Sequence, residues 1–202
     1  YAKLAYVSPA LFGAQLALSF TPSQGKDVIP FLHEGPAVAG RQAGIWEGSL
    51  RYGDDVGPVS LSAYGGFAFG RGEHKLAGQE GLSDLGAGLR ADVPLDDDVG
   101  VSIGGAWRQS NAYAFDIARS MAGATTRALQ ASAAVTDDAW IFGVEYGGGD
   151  ADGIASLGDS APHLGLAGYQ ASLGYVLNAN IQATLGWQHL AYDRSSGIFY
   201  NG

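Results

Sequence analysis

Tyr169-Gln170-Ala171-Ser172-Leu173-Gly174-Tyr175-Val176-Leu177 alternates apolar with polar or small residues, Asn178-Ala179-Asn180 offers a turn, and Ile181-Gln182-Ala183-Thr184-Leu185-Gly186-Trp187-Gln188 alternates again. Period-two alternation marks a strand with one apolar face, and two such runs joined by turn residues predict a β-hairpin. Each arm is about ten residues long, as expected of a strand crossing a bilayer at a tilt of roughly 45°. A half-buried strand of a soluble sheet alternates in the same way. How the unit repeats, and where its aromatic residues fall, separates the two cases.

With 202 residues, 47% apolar and only 15% charged, the chain predicts one ordered domain over residues 1–202. Its 32 glycines keep no three-residue period, which excludes collagen. No run of about 18 apolar residues occurs, so no helix is expected to span a membrane. Cysteine is absent, which removes disulfides and thiolate metal sites. The net charge of −9 argues against a nucleic-acid partner, which needs a basic surface. Tyr1 opens directly in a patterned segment, and the expectation is a domain cut or processed at its start.

Taken in order, the chain predicts ten strands. Ala2 to Val7 turns at Ser8-Pro9-Ala10 into Phe12 to Thr21. A loop rich in Gly and Pro precedes Gly44 to Tyr52, which turns at Gly53-Asp54-Asp55 into Val59 to Phe69. After a polar loop from Arg71 to Leu82, Asp84 to Val93 turns at Asp96-Asp97-Asp98 into Val101 to Arg108. Ala128 to Val135 turns at Asp137-Asp138 into Trp140 to Gly147, and a glycine-rich loop, Gly148 to Gly165, leads to the opening hairpin. The tight turns recur at roughly forty residues, a spacing that a propeller blade would fill with four short strands rather than two long ones. Short turns at one end and long loops at the other are the habit of outer-membrane barrels.

The aromatic residues follow the apolar register. Trp46, Trp107, Trp140 and Trp187, with Tyr6, Phe12, Phe20, Tyr52, Phe69, Tyr146, Tyr169 and Tyr175, fall near strand ends. A ring with a polar handle is stable where hydrocarbon meets headgroups, so these positions fit two girdles. A sandwich core would gather its rings at strand centres.

Gly, Ala, Ser, Thr and Gln dominate the polar register. Its charged exceptions, Lys3, Glu47, Arg51, Arg90, Asp92, Arg108 and Glu145, are the candidate pore-lining residues, since lining charges set which ions pass. For each, a salt bridge along the wall, such as Arg90 with Asp92, is the equal alternative. A narrow closed barrel must fill itself with side chains, and residues this small predict a wide, wet interior instead.

Lys3-Leu4-Ala5-Tyr6-Val7-Ser8-Pro9 followed by Phe12-Gly13-Ala14-Gln15-Leu16-Ala17-Leu18-Ser19-Phe20-Thr21-Pro22 resembles the middle hairpin of Gram-negative general porins, especially the alphaproteobacterial kind. Gly186-Trp187-Gln188-His189-Leu190-Ala191-Tyr192 resembles their penultimate strand. The resemblance covers nearly the whole chain and implies a homotrimeric outer-membrane channel for ions and small hydrophilic solutes, embedded in lipid and lipopolysaccharide. It further implies a barrel of about sixteen strands, of which those visible here are roughly the sixth to the fifteenth. The inward-folded third loop, the earlier strands and the terminal strand would then lie outside this sequence. Lys3, Arg51, Arg90 and Arg108 are candidates for the basic wall by register.

No phosphate loop, His-Glu-x-x-His or Gly-x-Ser-x-Gly motif occurs, so no catalytic residue, cofactor or metal is expected. His33, His74 and His163 fall in loops, and His189 falls on the apolar register. Asp150-Ala151-Asp152-Gly153 echoes a calcium loop but lacks the third acidic ligand and the closing Glu. Arg127, at an outer strand end on the apolar register, suits a snorkelling residue or a lipopolysaccharide phosphate. Two other readings compete with the channel. One is a complete ten-stranded outer-membrane barrel with an enzymatic rim bearing acidic residues such as Asp150 and Asp152. The other is a soluble β-protein with an acidic surface.

Overall fold

The computed structural model describes residues 3–23, 41–73, 81–111, 125–152, 163–178 and 181–194. They form β1 (Leu4–Val7), β2 (Ala14–Ser23), β3 (Arg41–Val56), β4 (Val59–Glu73), β5 (Ser83–Pro94), β6 (Val99–Ser110), β7 (Thr125–Asp137), β8 (Trp140–Asp152), β9 (His163–Asn178) and β10 (Ile181–Arg194). The ten strands make a single antiparallel sheet in which each strand pairs only with its sequence neighbours. It is all-β and open, because no described pairing joins β1 to β10. A complete ten-stranded barrel requires that pairing, so the closed alternative loses its premise.

Alternation survives folding because directly opposed residues share a face. One transverse row runs Arg90, Gly104, Ser132, Glu145, Gln170 and Gln188, polar or small across six strands. An adjacent row of the opposite face runs Leu61, Ala91, Ile103, Ala133, Val144, Ala171 and Trp187. A slip of one residue at any strand would mix these rows.

The tips differ from expectation where left-handed backbone is available. The first hairpin closes at Phe12 (φ 51°) and Gly13 (φ 74°) rather than at Ser8-Pro9-Ala10. Two positive φ values match the twist of paired strands. Phe12 is therefore a tip residue, 97% exposed. The second hairpin turns at Gly57-Pro58 with Gly57 at φ 64°, three residues beyond Gly53-Asp54-Asp55. Asp54 and Asp55 stay extended, accepting from the Tyr52 hydroxyl (3.1 Å) and the Ser60 hydroxyl (2.6 Å). Asp96 does cap its predicted turn, its Oδ1 accepting from the amides of Asp98 (3.0 Å) and Val99 (2.7 Å). The fourth tip falls at Asp138-Ala139, between Asp137 and Trp140, and Ala179-Asn180 lie outside the described residues.

At the other end the strands outrun their predicted limits. Gly148, Gly149, Asp150 and Asp152, expected in a loop, belong to β8 and pair with β7. A partner strand satisfies backbone groups whatever the side chains are, so glycine costs little pairing there. Tyr146 packs against the space above Gly148, where a Cβ would lie 2.6 Å from its hydroxyl.

Almost nothing is buried. Among the described residues only Ile45 (4% exposed) and Leu82 (5%) form a buried apolar cluster, with Ala68 against it. They meet beside a bulge, where Gly44 at φ 58° and Ile45 oppose Gly70. The Gly70 amide donates to the Leu82 carbonyl (3.0 Å), and the Leu82 amide donates to Gln42 Oε1 (3.3 Å). The segment entering β5 is thus pinned to β3 and β4.

Candidate functional site: the polar face of the sheet

Two hollows lie along the polar register. One, of about 700 Å³, is lined from Lys3 and Ala17 through Glu47, Arg51 and Tyr64 to Gly86, residues contributed by β2 to β5 and the approach to β1. The other, of about 530 Å³, continues from Tyr64 and Gly86 through Ala106 and Gln130 to Gln188 on β10. A third, of about 510 Å³, lies among Ile103, Val144 and Trp187 on the opposite face. The first two open on the polar face.

Every candidate lining residue is on this face, and most are engaged. Lys3 Nζ reaches Glu47 Oε2 at 2.5 Å, and the Ser19 hydroxyl donates to the same oxygen at 2.8 Å. Arg90 clamps Asp92 two residues along β5, Nε lying 2.9 Å from each carboxylate oxygen and Nη2 2.7 Å from Oδ1. Ser102 joins them, its hydroxyl accepting from Arg90 Nη2 (3.2 Å) and donating to Asp92. The wall salt bridge weighed for this pair is therefore present. Arg108 on β6 donates from Nε to Asp84 Oδ1 on β5 (2.9 Å) and pairs through Nη2 with Oδ2. Glu145 accepts from Gln130 Nε2 at 2.8 Å. Arg51 makes no ion pair among the described residues.

Charge is segregated by strand. Among the described side chains, every basic residue of the polar face lies between Lys3 and Arg108, and β7 to β10 contribute Glu145 as their one charge there. That second half is otherwise mostly Gln, Ser, Thr, Gly and Ala, with Ile141, Leu166, Val176 and Leu190 among them. Alternation places Asp84 on this face, and counting back from the Asp96 turn brings it near Arg108; the sequence reading omitted it from the lining set. It also gave no role to Tyr64, Gln130, Gln170 or Gln188, since uncharged residues announce no chemistry by type alone.

The opposite face is apolar and uncovered. Leu185 is 75% exposed, Leu89 64% and Trp187 62%. Aromatic residues bracket its apolar stretches: Trp46 and Tyr52 on β3, Trp140 and Tyr146 on β8, Tyr169 and Tyr175 on β9. Six residues of strand span about 20 Å. Cross-strand partners extend the brackets, with ring centroids 4.7 Å apart for Phe20–Trp46, 4.6 Å for Trp140–Tyr175 and 5.2 Å for Tyr146–Tyr169. Beyond the brackets, at the long-loop end, the face turns polar in the row Gln109, Arg127 and Asp150.

Among the described residues no three His, Asp or Glu side chains converge as metal ligands. Asp150 and Asp152 sit on extended strand opposite Arg127 and Thr125, which is not the tight loop a calcium site wraps around its ion. Gly153, His33 and His74 lie outside the described residues, His163 begins β9, and His189 stacks on Trp187 with centroids 6.1 Å apart. No protein-family model, curated protein or solved structure matches this chain.

Proposed function

We propose that this sheet is part of a transmembrane β-barrel in the outer membrane of a Gram-negative bacterium. Its polar face lines a water-filled pore through which ions and small hydrophilic solutes diffuse passively. The observation that carries this reading is the uncovered apolar face, bracketed by aromatic rings, on a sheet with almost no core of its own. Exposing a Leu or Val to water forfeits about 1.5–3 kcal/mol relative to burying it. A face built of such residues suits hydrocarbon, and rings at its borders suit headgroups.

The open edges bear on size. Unpaired backbone at β1 and β10 cannot face lipid, so further strands must complete the wall. The resemblance to general porins, noted on the hairpin Lys3 to Pro22 and the strand Gly186 to Tyr192, adds the expectation of a barrel of about sixteen strands. It also supplies the expectation of a homotrimer.

Current through planar bilayers tests the proposal. The full-length protein should give stepwise, long-lived conductance increments. Arg51, the basic residue of the polar face without an ion pair among the described residues, should govern selectivity, since a fixed charge on the wall sets the local counter-ion concentration. Arg51→Gln is expected to shift the reversal potential in a salt gradient toward cation preference. Absence of any conductance from folded protein would refute the pore.

A further inference from the structure

We propose that the β7–β10 half of the polar face, together with Tyr64 of β4 at the same hollow, is a binding track for neutral, hydroxyl-rich ring solutes, that is, sugars or cyclic polyols. The proposal rests on the pore reading and names the solute class that this wall retains. It starts from the 530 Å³ hollow, which lies within the few-hundred-Å³ range of small-molecule sites.

The floor of this hollow is backbone-like. Gly86, Ala106, Ala128, Gly147 and Gly168 line it, and a Cβ at Gly147 would meet nothing within 4 Å. A flat solute can therefore lie close against the wall. Polar groups rise beside that floor on neighbouring strands. Gln170 and Gln188 are directly opposed, and Glu145 opposes Gln170 in turn while Gln130 donates to it. Each amide offers both a donor and an acceptor, the pairing that a hydroxyl requires.

Apolar surface faces the same hollow. Leu166 is 43% exposed and Leu190 44%, both on the polar register among small and polar residues. Tyr64 is 55% exposed and lies across Gly88, where a Cβ would fall 2.5 Å from its ring. Glycine there lets the ring lie flat and turn a face to the lumen. Apolar patches beside uncharged donors and acceptors complement a molecule that has C–H faces and hydroxyl edges.

The charges argue against other solutes. Arg108, the cation at this hollow, is held by Asp84, so no free cation among the described residues awaits an anionic solute there. Glu145 is a single carboxylate already hydrogen-bonded to Gln130. Neither a strong anion nor a strong cation finds its counter-charge on this half.

Single-channel recording with maltose as probe tests the site. Maltose should interrupt the current in a saturable, concentration-dependent way, and polyethylene glycol of equal mass should reduce it only in proportion to volume. In Gln170→Ala/Gln188→Ala the blocking affinity should fall about tenfold through lost hydrogen bonds. Tyr64→Ala should lower it about fivefold through the lost ring face. Stepwise conductance of any size in sugar-free salt shows that a variant is folded and inserted. A conducting protein that maltose blocks no better than polyethylene glycol, or whose variants block like the parent, overturns the site alone. A folded protein without conductance overturns the pore, and the site with it.

Discussion

The two faces of this sheet are made by the same ten strands, yet they obey opposite rules. On the apolar face large side chains stand exposed and aromatic rings mark the borders, so the bulk lies where the described residues form no second layer. On the polar face glycine and alanine predominate, and the few charges are mostly tied into local pairs. Bulk on the exposed apolar face and smallness on the polar face is the reverse of a soluble sandwich, whose largest residues meet between the sheets. On the proposed pore reading, the solvent of each face, rather than contact between layers, chose its residues.

Reversing that choice should produce the largest effect. Leu89, on the apolar face of β5, is 64% exposed. Leu89→Arg should cost about 2–4 kcal/mol in lipid vesicles, the price of a charge near the bilayer midplane. Ser132→Arg, on the exposed polar face of β7, should cost under about 1 kcal/mol, because its charge stays in water. Reversible urea unfolding of both variants in vesicles checks the order, and equal costs would mean that the faces share one solvent.

Glycines give a smaller difference of opposite sign. On the apolar face Phe67 lies over Gly48, and a Cβ there would come within 2.5 Å of its ring and 3.1 Å of Leu18. Gly48→Ala should therefore destabilise by about 1 kcal/mol as these side chains shift. Gly147 on the polar face has open space above it, so Gly147→Ala should stabilise by roughly 0.5–1 kcal/mol through the unfolded chain's lost freedom. The same unfolding assay reads both, and two shifts of one sign would remove the packing distinction.

The smallest effect concerns the paired charges. Arg90→Gln together with Asp92→Asn removes a neutral pair, so stability should change by no more than about 1 kcal/mol, as for exposed pairs generally. The reversal potential should stay where it was. A shift as large as that of Arg51→Gln would mean that Arg90 acts as a free charge despite its clamp.

Much of this was legible beforehand because alternation is local. Trp187 against Gln188, or Leu89 against Arg90, fixes a face from two residues, and neighbouring strands then have to agree. Tips were harder to place. Asp54-Asp55 looks like a turn by composition, and Gly57-Pro58 wins because a positive φ and a missing amide close the tip with less strain. Strand ends were underestimated where Gly148 and Gly149 break the side-chain pattern without breaking backbone pairing. The candidate site was half visible: charged lining residues declare themselves by type. The segregation of the basic residues to the Lys3–Arg108 part of the face, and the amide row of β7–β10, needed the cross-strand register, which no single strand encodes.

Absence of cysteine from the chain permits the most direct test of the central claim, that one face meets lipid and the other water. Single cysteines at positions 182 to 189 along β10, in full-length protein reconstituted in lipid vesicles, would be read with a membrane-impermeant thiol reagent and with spin-labelled lipid quenching an attached fluorophore. At Gln182, Thr184, Gly186 and Gln188 the account predicts fast reaction and weak quenching, and at Ala183, Leu185, Trp187 and His189 slow reaction and strong quenching. Reaction and quenching that fail to alternate with period two would contradict it.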